Sequence, residues 1–115
     1  MKKLLIAAII SLSSVTTAAV AEVKVGIILG FTGPIESLTP AMRDGARMAF
    51  DEASNSGNLL GGETITILEA DSTCVDSAAA TAAAEQLVAD GVSAIMGADC
   101  SGVTCLLYTS PSPRD

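Results

Sequence analysis

The chain has 115 residues, enough for one small domain. Half are apolar, yet the aromatics are just Phe31, Phe50 and Tyr108, which favours close helix-on-sheet packing by Ala and short aliphatics over an aromatic-lined pocket. A net charge of −7 argues against nucleic acid as a partner, since phosphate binding needs clustered Lys and Arg; the lack of His removes His-based triads and the commonest transition-metal ligand.

Residues 1–21 read as a signal peptide. Lys2 and Lys3 form a basic start, and Leu4 to Leu12 an apolar stretch too short to span a bilayer. Ala19-Val20-Ala21 is an A-x-A cleavage site, so the cut is expected between Ala21 and Glu22. Export would place the rest of the chain in an oxidising compartment.

Val23 to Leu29 (VKVGIIL) is nearly all apolar and β-branched, as in a strand buried on both faces of a parallel sheet. Gly30-Phe31-Thr32-Gly33-Pro34 breaks it. Thr39 before Pro40 predicts a helix N-cap with Pro at the first helical position, and Met42, Ala46, Ala49, Phe50 and Ala53 then recur at helical spacing. Asn55 to Asn58 ends the helix, and Gly61-Gly62 turns into a second strand, Thr64 to Ala70. After a loop holding Cys74, Asp76 or Ser77 caps an Ala-rich helix that runs to about Asp90. Its inward face is expected around Ala79, Ala83 and Leu87, with Gly91 as its C-cap. Val92 to Gly97 is the third strand, Ala98 to Gly102 a loop, and Ser101 opens another helix.

The order β-α-β-α-β predicts an α/β fold: a parallel sheet with flanking helices, half-Rossmann-like, with right-handed crossovers and strand order 2-1-3. Ligands then bind outside the carboxyl ends of the first and third strands, at the topological switch point. That singles out the loops Gly30 to Leu38 and Ala98 to Gly102. Ser101 and the N–H groups of Gly102 and its neighbours suit a carboxylate at a helix N-terminus; the plainer reading makes Ser101 an N-cap alone. Asp71 and Asp99 read either as turn caps or as an acid/base pair. There is no G-x-G-x-x-G and no Walker Lys, so no cofactor is expected. Cys74 and Cys100 fall in loops at one edge of the sheet, as a disulfide or as two buried thiols; no ligand cluster surrounds them to suggest a metal.

The run from Val23 to Ser54, with Asp71-Ser72-Thr73-Cys74 and GVSAIMGADCSGVT, resembles type I periplasmic binding proteins of the leucine/isoleucine/valine kind. The resemblance spans residues 23–104. It implies that residues 22–104 are the first part of lobe 1 of a two-lobed, monomeric periplasmic protein, not an enzyme. Such a protein holds a small amino acid or amide and delivers it to a membrane ABC permease. It also implies that Cys100 and Asp99 through backbone, and Ser101 through hydroxyl and N–H, hold a ligand carboxylate, and that Cys74 is bridged to Cys100. Leu38 stands where the leucine-binding members carry an aromatic residue over the ligand side chain. Other readings on the same residues are a periplasmic sensor domain for amides or amino acids, and a small secreted flavodoxin- or Rossmann-like enzyme.

The character changes after Thr104. Residues 105–115 hold the Tyr and two of the four Pro, resemble a translated sequencing adapter, and are read as a non-native tail. Pro111 and Pro113 would prevent a long third helix and leave one sheet face partly bare. With the second lobe outside this sequence, the fragment is expected to be marginally folded and unable to bind its ligand tightly by itself.

Overall fold

A computed structural model describes residues 22–109. Three strands, β1 (Glu22–Leu29), β2 (Thr64–Asp71) and β3 (Ala94–Gly97), form a parallel sheet in the order β2-β1-β3. Between them run α1 (Thr39–Asn55) and α2 (Ser77–Ala89), and α3 (Ser101–Thr109) follows β3. This is the α/β arrangement the sequence predicts. The cleavage site expected after Ala21 and the Pro-rich residues 110–115 lie outside the described residues.

β1 is central because it is the most apolar strand. Ile27, Ile28 and Leu29 are fully buried and Val25 nearly so, and each such side chain contributes roughly 1.5–3 kcal/mol. Its whole length pairs with β2, from Glu22 opposite Thr64 to Leu29 opposite Asp71. Pairing with β3 is shorter, from Val25 opposite Ala94 to Ile28 opposite Gly97. β3 starts two residues later than the apolar run suggests, although the Ser93 N–H still donates to the Lys24 carbonyl at 2.8 Å.

Right-handed crossovers put α1 on one face of the sheet and α2 on the other. α2 packs on both long strands and against α3. A Cβ at Gly26 would stand 2.8 Å from Leu87 Cδ1, so the missing side chain lets α2 lie close on β1. Ala80 and Leu87 are the buried residues of α2, while Ala79 and Ala83 are half-buried, so the inner face centres one residue beyond Ala79. Asp76 caps this helix, its carboxylate accepting the N–H groups of Ala78 and Ala79 at 2.9 and 3.0 Å. On α1 the inner row narrows to Ala46, Phe50 and Ala53; Met42 and Ala49 are exposed.

One helix start differs from expectation, and another matches it in detail. Leu38, not Thr39, is the N-cap of α1, and it makes no capping bond with its side chain. Thr39 is fully buried and its hydroxyl donates back to the Glu36 carbonyl at 3.2 Å, so it serves the preceding turn instead of the helix N–H groups. At α3, the Cys100 carbonyl accepts the Thr104 N–H at 3.0 Å. Cys100 is therefore the cap position and Ser101 the first helical residue. α3 also runs through position 105 to Thr109 and buries Val103, so β3 is followed by a packed helix despite the prolines downstream.

Candidate functional site

In a parallel sheet all strands end at one edge, and three loops meet there. They are residues 30–38 after β1, residues 72–76 after β2 and residues 98–100 after β3. Since β1 lies between its partners, the outer two loops flank the first.

The β2 side is held by a carboxylate. Asp71, the last residue of β2, accepts the Thr32 hydroxyl at 2.5 Å, the Thr32 N–H at 3.3 Å and the Thr73 N–H at 2.8 Å. Burial favours its neutral form, but the hydrogen bonds from Thr32, Thr73 and Phe31 outweigh that and hold its pKa below the usual carboxylate range. The Ser72 N–H continues the ladder, donating to the Leu29 carbonyl at 2.8 Å. Gly33 has φ of 99°, and a Cβ there would lie 2.6 Å from the Thr73 carbonyl oxygen, so the turn rests directly on the β2 loop.

The β3 side is held differently. Asp99 Oδ2 accepts the Gly30 N–H at 2.9 Å; Asp99 Oδ1 is buried, as is Ser72 Oγ, and neither has a hydrogen-bond partner among the described residues. Cys74 and Cys100 form a disulfide, with Cα atoms 5.2 Å apart. Since β2 and β3 are not neighbours, this bond spans the end of β1. A Cβ at Gly30 would lie 3.1 Å from Cys74 Cβ, so the first loop leaves the sheet directly against the bridge.

Ser101 and Gly102 are exposed at the start of α3. The first N–H groups of any helix lack intrahelical acceptors and carry partial positive charge. The Ser101 hydroxyl makes no hydrogen bond among the described residues, so it is not spent as a cap. The Thr104 hydroxyl lies 2.8 Å from the Cys100 carbonyl and 3.1 Å from the Ala98 carbonyl, fixing the turn into the helix. Leu38 is 60% exposed at the start of α1, across the first loop. The structure thus gathers Asp99, Cys100, Ser101 and Gly102 at the switch point, beside Cys74, and leaves Leu38 on the outer end of the neighbouring loop. Glu22, the other residue singled out near the N-terminus, opens β1 at the opposite edge and accepts the Thr66 hydroxyl.

The charge of the edge is one-sided. Among the described residues the basic side chains are engaged elsewhere: Lys24 with the Asp90 carbonyl, Arg43 with Asp44, and Arg47 with Glu69. No group of three or more His, Cys, Asp or Glu among the described residues could hold a metal, and no helix among them is long and apolar enough to cross a membrane. The roles of Thr32 and Gly30 were not foreseen from sequence. The available signal was a Thr-Gly-Pro turn after one strand and an Asp ending the next.

Residues 22–106 match a family model described as periplasmic binding protein. The chain is 30% identical over 83 residues to the Leu/Ile/Val-binding protein BraC3 of Rhizobium johnstonii, covering 72% of this chain and 22% of that protein. It is 30% identical over 102 residues to the leucine-specific-binding protein of Salmonella typhimurium, covering 89% of this chain and 27% of that protein. The chain spans about a quarter of the length of these relatives.

Proposed function

The chain belongs to the periplasmic binding protein family, and on that premise we propose that it supplies one wall of a binding site for a branched-chain or related small amino acid. The chain would act in the periplasm, as part of a monomeric solute-binding component serving a membrane ABC permease. Two relatives whose names specify leucine or leucine, isoleucine and valine support that solute class.

The observation that carries the reading is the start of α3 at the switch point: Ser101 and Gly102 are exposed, with unpaired helix N–H groups and an uncommitted hydroxyl. A carboxylate there meets N–H donors from Ser101 and Gly102, the Ser101 hydroxyl, and backbone from Asp99 and Cys100. Leu38, exposed at the start of α1, would offer an aliphatic side chain some cover. The Asp71 carboxylate accepts from Thr32 and Thr73 and one oxygen of Asp99 accepts from Gly30, which favours binding over acid/base chemistry.

One wall alone buries little of a ligand, so the expected affinity is on the order of millimolar. The test is a titration of the isotope-labelled chain with L-leucine, L-valine and acetamide, followed by NMR. Shifts that saturate at the amides of Cys100, Ser101 and Gly102 are expected. The reading fails if tens of millimolar solute leave those amides unmoved. It also fails if Ser101→Ala, expected to weaken L-leucine about tenfold, changes nothing.

A further inference from the structure

We propose that Asp71 is a positioning residue for the site, acting through Thr32 to hold the first loop on the β2 side and keep it clear of the crevice between β1 and β3. The proposal refines the binding reading above and rests on it.

The contacts of the loop are lopsided. Thr32 gives both its hydroxyl and its N–H to Asp71, which ends β2 in register with the last residue of β1. One residue on, Gly33 sits so close to the Thr73 carbonyl that no side chain fits between them. Asp71 also accepts the Thr73 N–H, so one carboxylate fixes both the loop and the turn it leans on. Toward β3 the hydrogen bond is at the base of the loop, from Gly30 to Asp99. Beyond Gly30 the loop is therefore drawn away from Ser101, and Ser101 and Gly102 stay exposed.

A charge-assisted pair of bonds to one residue sets direction as well as distance. Asp71 lies on the strand remote from α3, so its effect on a ligand at Ser101 is indirect. A carboxylate that merely stabilised β2 would not depend on the hydroxyl of an exposed Thr in another loop. That dependence makes the proposal testable.

The experiment is amide hydrogen exchange on the oxidised 115-residue chain, comparing Thr32→Val, Thr32→Ser and Asp71→Ala. Thr32→Val keeps the shape and loses the hydroxyl; Thr32→Ser keeps the hydroxyl. Exchange of the Phe31, Thr32 and Glu36 amides is expected to rise by about tenfold in Thr32→Val and Asp71→Ala and to return to the parent rate in Thr32→Ser. Ile27 and Ile28 should keep their protection throughout, which reports an intact sheet. Unchanged loop exchange in Thr32→Val overturns the proposal, as does failure of Thr32→Ser to restore it. Should Asp71→Ala not fold, the two Thr32 variants decide alone. Titration of the same variants with L-leucine separates the two readings. Loop loosening with weaker leucine shifts at Ser101 supports both. Loop loosening in the variants of a parent chain that itself ignores leucine leaves the clasp standing and removes the binding function.

Discussion

The two flanks of β1 solve the same problem by different means. On one flank, β2 pairs over eight residues to its end, one further backbone bond continues past it, and a carboxylate then takes over. On the other, β3 pairs over four residues and stops at Gly97. Beyond that point a disulfide and one bond from Gly30 to Asp99 hold the chain. The difference follows from what comes next. The chain after β3 must leave the sheet within three residues and start α3 with exposed N–H groups, and a longer ladder would commit that backbone. A covalent bond holds the turn without using its donors.

The largest effect expected from this contrast is at Gly97. It has φ of 128°, and a Cβ would stand 1.9 Å from the Ile28 carbonyl oxygen. Gly97→Ala therefore combines a strained backbone with a clash against β1, and should lower stability by about 4 kcal/mol in urea denaturation. A loss below about 1 kcal/mol would mean that β3 can shift its exit freely, and the contrast between the flanks would fall.

Next is the disulfide. Replacing Cys74 and Cys100 together by Ala should cost about 3.5 kcal/mol in the entropic account of a loop of this size. The loss should also be uneven: the Thr104 amide, bonded to the Cys100 carbonyl, should lose far more exchange protection than the amides of Ile65 to Leu68. Equal loss on both flanks would show that the bridge stabilises the domain at large and has no special bearing on the candidate site.

The flanks also differ in how readily sequence reveals them. Strand order, the parallel sheet and the loops at its carboxyl edge follow from three apolar runs separated by helical spacing, because burial on both faces imposes a simple pattern. A cap at Asp76 or Ser77 is legible because capping depends on residues two and three positions away, and the structure selects Asp76. Thr39 departs from its predicted cap role because its hydroxyl turns back to Glu36, a choice fixed by its burial. The opening of α3 at Ser101 is legible, but that Cys100 supplies the first helical carbonyl is not, since no side-chain preference marks that role. The Asp71–Thr32 pair joins residues 39 apart and exists only once β1 and β2 are in register. Composition at either end says nothing of it.

The smallest effect expected is a response to acid, and it separates the flanks by chemistry. Asp71 is driven up by burial and pulled further down by donors from Thr32, Thr73 and Phe31, so its folded pKa lies below its unfolded one. The sign follows directly: the ionised form is the one the fold prefers. Its contribution is fully present above the unfolded value and is lost as pH falls through the folded one, in the window below about pH 4. The Thr32 and Thr73 amides should therefore shift together as pH drops through that window, and the first loop should lose exchange protection with them. In Asp71→Asn, which keeps one acceptor but cannot ionise, that shared transition should vanish. Were it to persist, a different carboxylate would govern the loop, and the β2 flank would owe its order to the ladder alone. The disulfide does not titrate, so the covalent hold on Cys100 persists in the same acid range. Acid would then loosen the loop beside the candidate site before it loosens the helix start that forms it.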